Sequence, residues 1–225
     1  MGLRPASVSK PCITHSAGPD SLFCIMDSRT VFIAACSPRR GGNSDHAAAL
    51  LGEAWGLATP AVRVADAGVR PCISCGFCAS RPGLCSLDGT GPHGEKDGAQ
   101  ALFSAMCAAE LSVIVAPVYF YHLPAQAKAW IDRSQRWWAV EDAASRPGAG
   151  RTMTAVLMGA RPRGDKLFEG ADRTLRYMAK TLGMEWHPPL YLYGLDGPDA
   201  LVRSAEKQAQ LRNWATDLRG ARAWA

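Results

Sequence analysis

Thr30-Val31-Phe32-Ile33-Ala34-Ala35-Cys36 runs without interruption into Ser37-Pro38-Arg39-Arg40-Gly41-Gly42-Asn43-Ser44. The first stretch is a continuous apolar run with β-branched residues. Such a run suits a strand covered on both faces, as in a parallel sheet. The second stretch reads as a loop, and Asp45 to Trp55 reads as a helix. A helix start offers free backbone N–H groups and a partial positive charge. Gly41 and Gly42 let the backbone close around an oxyanion. Ser37, Asn43 and Ser44 add short polar donors, and Arg39 or Arg40 adds charge. A phosphate cradle fits this stretch, and so does a plain Gly-Gly turn with solvated arginines. Neither the Gly-Lys-Ser/Thr of an NTP-binding loop nor a G-x-G-x-x-G fingerprint is present.

Outward from this loop, strands and helices alternate. Ala61 to Val64 reads as a second strand, and Gly98 to Glu110 as a helix. Leu111 to Val118 is a third strand with Pro117 near its end. Ala125 to Trp138 is a helix with Ala127, Trp130, Ile131, Ser134 and Trp138 on one face. Thr152 to Met158 is a fourth strand, and Leu167 to Leu182 a helix ending at Gly183. Pro189 to Gly194 is a fifth strand, and Asp199 to Arg219 a last helix. Five such alternations predict an α/β fold, a parallel sheet with helices on both faces. Ligands of such sheets bind beyond the strand carboxyl ends, at the switch point of the strand order. A monophosphate there makes FMN the leading candidate.

The chain has 225 residues, 48% hydrophobic and 20% charged, with 22 Gly and 15 Pro. This length favours one domain with a full core. The composition excludes disorder, collagen and long coiled coil as the main state. Residues 1–28 lack periodicity and read as a disordered extension, with Met26 a candidate start. Residues 29–220 read as the folded domain. The longest apolar run, Leu111 to Phe120, holds ten residues, and a membrane helix needs about 20. With no export signal and no spanning segment, the chain reads as cytoplasmic. The net charge is +5. Residues 1–112 hold nine basic and nine acidic side chains, so the whole excess lies in the second half. No clustered Lys/Arg stripe interleaved with aromatics is present, which argues against a nucleic-acid partner.

Residues 67–98 carry Gly, Pro and Cys without periodicity. Four of the eight cysteines lie here, as Cys72-x₂-Cys75-x₂-Cys78-x₆-Cys85. In a reducing compartment so dense a group reads as metal or redox chemistry before disulfides. A [4Fe–4S] cube needs four thiolates, and two-residue spacers let a curled backbone aim three at one centre. Gly76 eases the curl, and Arg81-Pro82-Gly83 returns Cys85. Zinc is the rival, although its sites usually come as two separated C-x₂-C pairs.

SPRRGGNSD after the first strand, PCISCGFC in the loop, and APVYFYHLPAQAKAWIDR after the third strand resemble the NAD(P)H-dependent FMN reductase and iron–sulfur flavoprotein family. The resemblance runs from about Thr30 to Leu195. It implies a flavodoxin-like fold with strand order 2-1-3-4-5, the cysteine loop being an insertion at about residues 70–98. It implies that Ser37, Arg39, Gly42, Asn43 and Ser44 hold the FMN phosphate. Pro117, Val118, Tyr119 and Phe120 would line the ribityl chain and ring system, with Gly159 opening a third flavin loop that runs to Asp165. Cys72, Cys75, Cys78 and Cys85 would ligate the cluster. The implied activity is electron transfer between a [4Fe–4S] cluster and FMN. The alternative is an NAD(P)H-dependent FMN or quinone reductase with empty or zinc-bound cysteines. Implied partners are NAD(P)H, a small-molecule or ferredoxin-like redox partner, and further copies of the chain in a homodimer or homotetramer. The segment Leu87 to Gly94 departs from the family, whose members pass more directly into the next helix.

Overall fold

The computed structural model describes residues 31–58, 60–89 and 96–220. The reading of residues 1–28 and part of the Leu87–Gly94 segment lie outside these. Strand β1 (Val31–Ala35) is the centre of the switch. Parallel neighbours flank it on both sides, β2 (Val62–Arg63) and β3 (Leu111–Pro117). Register Val31↔Leu111 to Ala35↔Val115 is set by the two apolar runs. Beyond β3 lies β4 (Thr152–Met158), buried along its whole length. The order is β2-β1-β3-β4, then an outer lane, all parallel.

The outer lane is split, which corrects the single strand expected over Pro189 to Gly194. β5 (Glu185–Trp186) pairs with the start of β4 and β6 (Leu190–Leu192) with its end. Pro188 and Pro189 separate them, and proline has no N–H for a ladder. The Thr154 hydroxyl donates to Pro188 O across the gap at 3.2 Å.

Helix α1 (Asn43–Trp55) covers one face of the sheet together with two C-terminal helices, α6 (Ala200–Arg203) and α7 (Ala205–Gly220), against Ile33, Val113 and Val156. The last helix, expected unbroken, divides at Ser204, whose hydroxyl accepts from the Lys207 amide and caps α7. The other face buries α3 (Ala99–Ala108), α4 (Ala125–Asp132) and α5 (Glu169–Leu182) against Phe32, Ile114 and Leu157. Gly183 ends α5 with φ +79°, as the sequence predicts.

The expected helix Ala125 to Trp138 changes character midway. From Arg133 to Trp137 it winds as a 3₁₀ turn. Three residues per turn bring residues three apart onto one line. Arg133 and Arg136 therefore both turn inward, and Trp138, predicted on the buried face, is 63% exposed. No helix among the described residues is long and apolar enough to cross a membrane.

Candidate functional site

The strand carboxyl ends open into a pocket of about 330 Å³. That lies at the small end of ligand-binding cavities. Four segments build it. The loop after β1 gives Ser37, Arg39, Gly42, Asn43 and Ser44; the end of β3 gives Pro117, Val118 and Tyr119. Met158 and Ala160 come from the end of β4, and Leu195 to Pro198 from the loop after β6.

The first loop is held by its own polar groups. The Ser37 hydroxyl accepts from the Arg39 amide at 3.2 Å. Gly41 takes φ +64°, and its amide donates to Asp45 Oδ2 at 2.7 Å. Asp45 is ion-paired with Arg63, which also donates to Ser37 O. Arg63 thus braces the loop from β2. The first turn of α1 closes with His46 N to Gly42 O at 3.1 Å. The amides before that bond have no partner within the helix, so the pocket end of α1 offers N–H donors and a positive dipole end. Ser37 and Ser44 are buried beside it.

Asn43 lines the pocket and is also bonded into its wall. Its side-chain amide donates to Gly197 O at 2.8 Å, and its Oδ1 accepts from Leu201 N at 2.9 Å. The side chain ties the loop after β6 to the start of α1 and so closes the pocket wall. Gly159 is bonded to β6 and to the loop after it. Its amide donates to Leu192 O at 2.9 Å and its carbonyl accepts from Leu195 N at 3.0 Å. A Cβ there would stand 2.7 Å from Leu167 Cδ2, closer than packing allows.

A two-residue hairpin stands at the pocket mouth. Tyr119 and His122 exchange backbone bonds at 2.8 and 3.0 Å, and the tip residues Phe120 and Tyr121 have φ +50° and +62°. Left-handed backbone at two bulky aromatics is unfavourable and must be held by its surroundings. Arg161 donates to the Tyr121 hydroxyl at 2.5 Å and lies over its ring. Thr174 Oγ1 stands 3.0 Å from His122 Nε2. A Cβ on Gly170 would meet Tyr121 O at 2.8 Å, so α5 approaches the hairpin as only glycine allows. Phe120 is fully exposed and does not line the pocket.

The cysteine loop leaves the carboxyl end of β2, the neighbour of β1. Its ends are drawn together by Gly98 N to Ala67 O at 2.9 Å and by the Arg70 amide to Asp97 Oδ2 at 3.0 Å. Ser74 and Gly76 take φ +54° and +72°, which curls the chain into a short helix, α2 (Phe77–Ser80). Cys72 and Cys75 are exposed, and Cys78 and Cys85 half-buried. The buried Ser86 hydroxyl lies 3.1 Å from Cys75 Sγ. That contact, with the Phe77 amide, holds the Cys75 thiol below its usual range. Burial first, and then the charges of Cys72, Cys85 and Cys75, push Cys78 up. The four thiols are therefore electrostatic neighbours. Among the described residues, no three His, Cys, Asp or Glu side chains converge into a metal cage.

Behind the loop lies a buried ionic network. Arg133 has no exposed side-chain surface. Its Nε donates to Cys85 Sγ at 3.1 Å, and its Nη2 to Asp88 Oδ1 at 2.6 Å. Its Nη1 reaches Asp97 Oδ2 at 2.7 Å and Arg70 O at 3.2 Å. Arg136 pairs with the other oxygen of Asp88 and stacks over Phe103 and Trp137. Among the described residues, its Nε and Nη2 are buried without a hydrogen-bond partner. Of the four thiols, that of Cys85 touches a buried guanidinium, that of Arg133, and the chemistry of four cysteine donors at this spacing is that of a metal–thiolate loop.

With both regions in view, the comparison with known proteins is direct. The profile of the flavodoxin-like fold matches residues 29–216. The chain belongs to the flavodoxin-like fold family. An iron–sulfur flavoprotein of Methanosarcina thermophila is 34% identical over 101 residues. Those residues are 44% of this chain and 48% of that protein, so the match spans about half of its length. The FMN-dependent NADH-azoreductase of Bacillus anthracis, solved in complex with FMN, has a TM-score of 0.57 at 15% identity, covering 84% of this chain and 99% of that one. RosB, solved with bound 8-demethyl-8-formylriboflavin-5′-phosphate, has a TM-score of 0.58 at 15% identity, covering 88% and 83%. At such identity these two likenesses establish the fold.

In this flavodoxin-like protein, eight of the ten positions read from the sequence as cofactor-binding meet at one pocket; Phe120 and Gly159 are the two that do not line it. The wall formed by Leu195 to Pro198 went unread, because its contribution depends on the split outer lane. Arg133, Arg136, Asp88 and Asp97 were also missed. A signal existed: Arg133 falls three residues after Trp130, and Arg136 three further on, where an apolar stripe would continue.

Proposed function

We propose that this protein is an FMN-dependent oxidoreductase that takes reducing equivalents from a nicotinamide cofactor and exchanges them with an iron–sulfur cluster on the cysteine loop. The observation that carries the reading is the pocket at the switch point, where a helix start and buried serines meet an apolar wall. FMN, when bound, supplies two-electron and one-electron chemistry, and a cluster supplies one-electron transfer. The chain's own residues do the placing. Backbone amides at the start of α1, with Ser37, Ser44 and Arg39, would receive the phosphate. Pro117, Val118, Tyr119, Met158 and Leu195 would flank the uncharged part and exclude water. Asn43, Asp45 and Arg63 hold those groups in position. No side chain is assigned a proton-transfer role.

Support for the cluster comes from the four-cysteine spacing, the donor-rich arginine pair behind it, and the partial likeness to an iron–sulfur flavoprotein. The same reading has a second copy of the chain cover the exposed Tyr119, Phe120 and Tyr121 at the pocket mouth. The test is anaerobic purification followed by flavin, iron, sulfide and zinc analysis, then addition of NADH or NADPH. The reading requires bleaching of a flavin band and iron with sulfide in equal amounts. Zinc, or no metal, with a bleachable flavin leaves a flavin-only reductase. A protein without flavin overturns the reading altogether.

A further inference from the structure

Buried ion pairs are weak contributors to stability, because desolvation offsets most of the attraction. The two arginines and two aspartates behind the cysteine loop therefore call for another reason. Arg133 touches the loop at four points: its entry at Arg70 O, its last cysteine, Asp88 just beyond, and Asp97 at its exit. One side chain thereby ties together the described parts of the loop. The contact with Cys85 is aimed at the sulfur itself. N–H donors to ligand sulfurs stabilise the more negative, reduced state of an iron–sulfur centre and so raise its potential. Arg136 shares Asp88 with Arg133 and, among the described residues, keeps two buried donors without a partner.

We propose that Arg133 is the positioning residue of the metal-binding loop: it holds Cys85, the last of the four cysteines, in place and tunes the bound centre through its N–H to sulfur contact. This rests on the metal reading of the cysteine loop. The guanidinium fork is essential to it. A lysine keeps the charge but cannot serve Cys85, Asp88, Asp97 and Arg70 O together.

The experiment compares anaerobically purified holoprotein with Arg133→Lys, Arg133→Gln and, as a control, Arg173→Gln, which removes an exposed ion pair with Glu169. Iron retention is measured against a chelator, and the midpoint potential of the cluster by EPR-monitored titration. Flavin content and far-UV circular dichroism report whether the domain is folded. Arg133→Gln should hold iron at least about tenfold more weakly, the usual scale for losing a group that supports a metal ligand. Arg133→Lys should keep iron but show a lowered potential, and the control should match the wild type. Should Arg133→Gln also lose its flavin and its fold, Arg133→Lys decides. A loaded wild type with Arg133→Lys unaltered in both potential and iron retention overturns this inference alone. A wild type without iron and sulfide, zinc-bound or metal-free, overturns the iron–sulfur reading and this inference with it.

Discussion

Cys36 follows β1 with its thiol wholly buried, and burial pushes it up to about 12. Cys107 on α3 is pushed up to about 11 for the same reason, with the nearby Arg136 charge working against the rise. Only the thiolate is nucleophilic. In metal-free native protein at pH 8, iodoacetamide should therefore label Cys72 and Cys75 and spare Cys36 and Cys107, as read by peptide mass mapping. Labelling of Cys36 at the rate of Cys72 would contradict the packing described. At the pocket, Asn43→Ala removes two hydrogen bonds and strands Gly197 O and Leu201 N. Leaving such groups unpaired costs about 1–3 kcal/mol. Urea unfolding of Asn43→Ala should show a loss of that size, with Asn43→Asp recovering the bond from Leu201 N alone. An unchanged midpoint would mean that the side chain does not brace the wall.

Among the elements, those with long apolar runs are legible from the amino-acid order alone. β1, β3 and β4 lie where TVFIAAC, LSVIVAPV and TMTAVLM place them, because a strand covered on both faces has no room for a polar alternation. The outer lane and last helix are legible in position but not in continuity. Two prolines break the lane and a serine cap breaks the helix, and both effects depend on which bonds neighbours can supply. The turn from α4 into 3₁₀ winding is not legible in local sequence, because the buried aspartates that Arg133 and Arg136 meet there come from another part of the chain. The cysteine loop is legible as chemistry but not as shape. Its closure at Asp97 makes an acid prediction. Burial works against ionising Asp97, but bonds from the Arg70 amide, Arg133 and the Ala99 amide outweigh it and hold the carboxyl below its ordinary value of 3.8. A carboxyl lowered by folding stabilises fully above the unfolded value, and that contribution is lost as pH falls through the folded one. Protection of the amides in residues 68–89 against hydrogen exchange, taken relative to the intrinsic rate at each pH, should therefore be unchanged from pH 7 to 5 and fall below 3.8, ahead of the β3 amides. Loss of protection already at pH 6 would contradict the network.

For the molecule as a whole, parallel topology places the glycine loop, the hairpin and the cysteine loop at the carboxyl ends of neighbouring strands. Segments far apart in sequence thereby meet at one edge. Sequence spacing shows the loop after β1 and the cysteine group separately, and the fold brings the loop after β1 together with β3, β4 and the segment after β6. The central claim is that the start of α1 grips a phosphate. Comparing FMN with riboflavin, by fluorescence quenching on flavin-stripped protein, tests it directly, because the two ligands differ only in that group. Two charge-assisted bonds at about 1.5 kcal/mol each make FMN roughly 100-fold the tighter ligand. Equal affinity for the two would show that the loop after β1 does not bind the phosphate, and the account would fail.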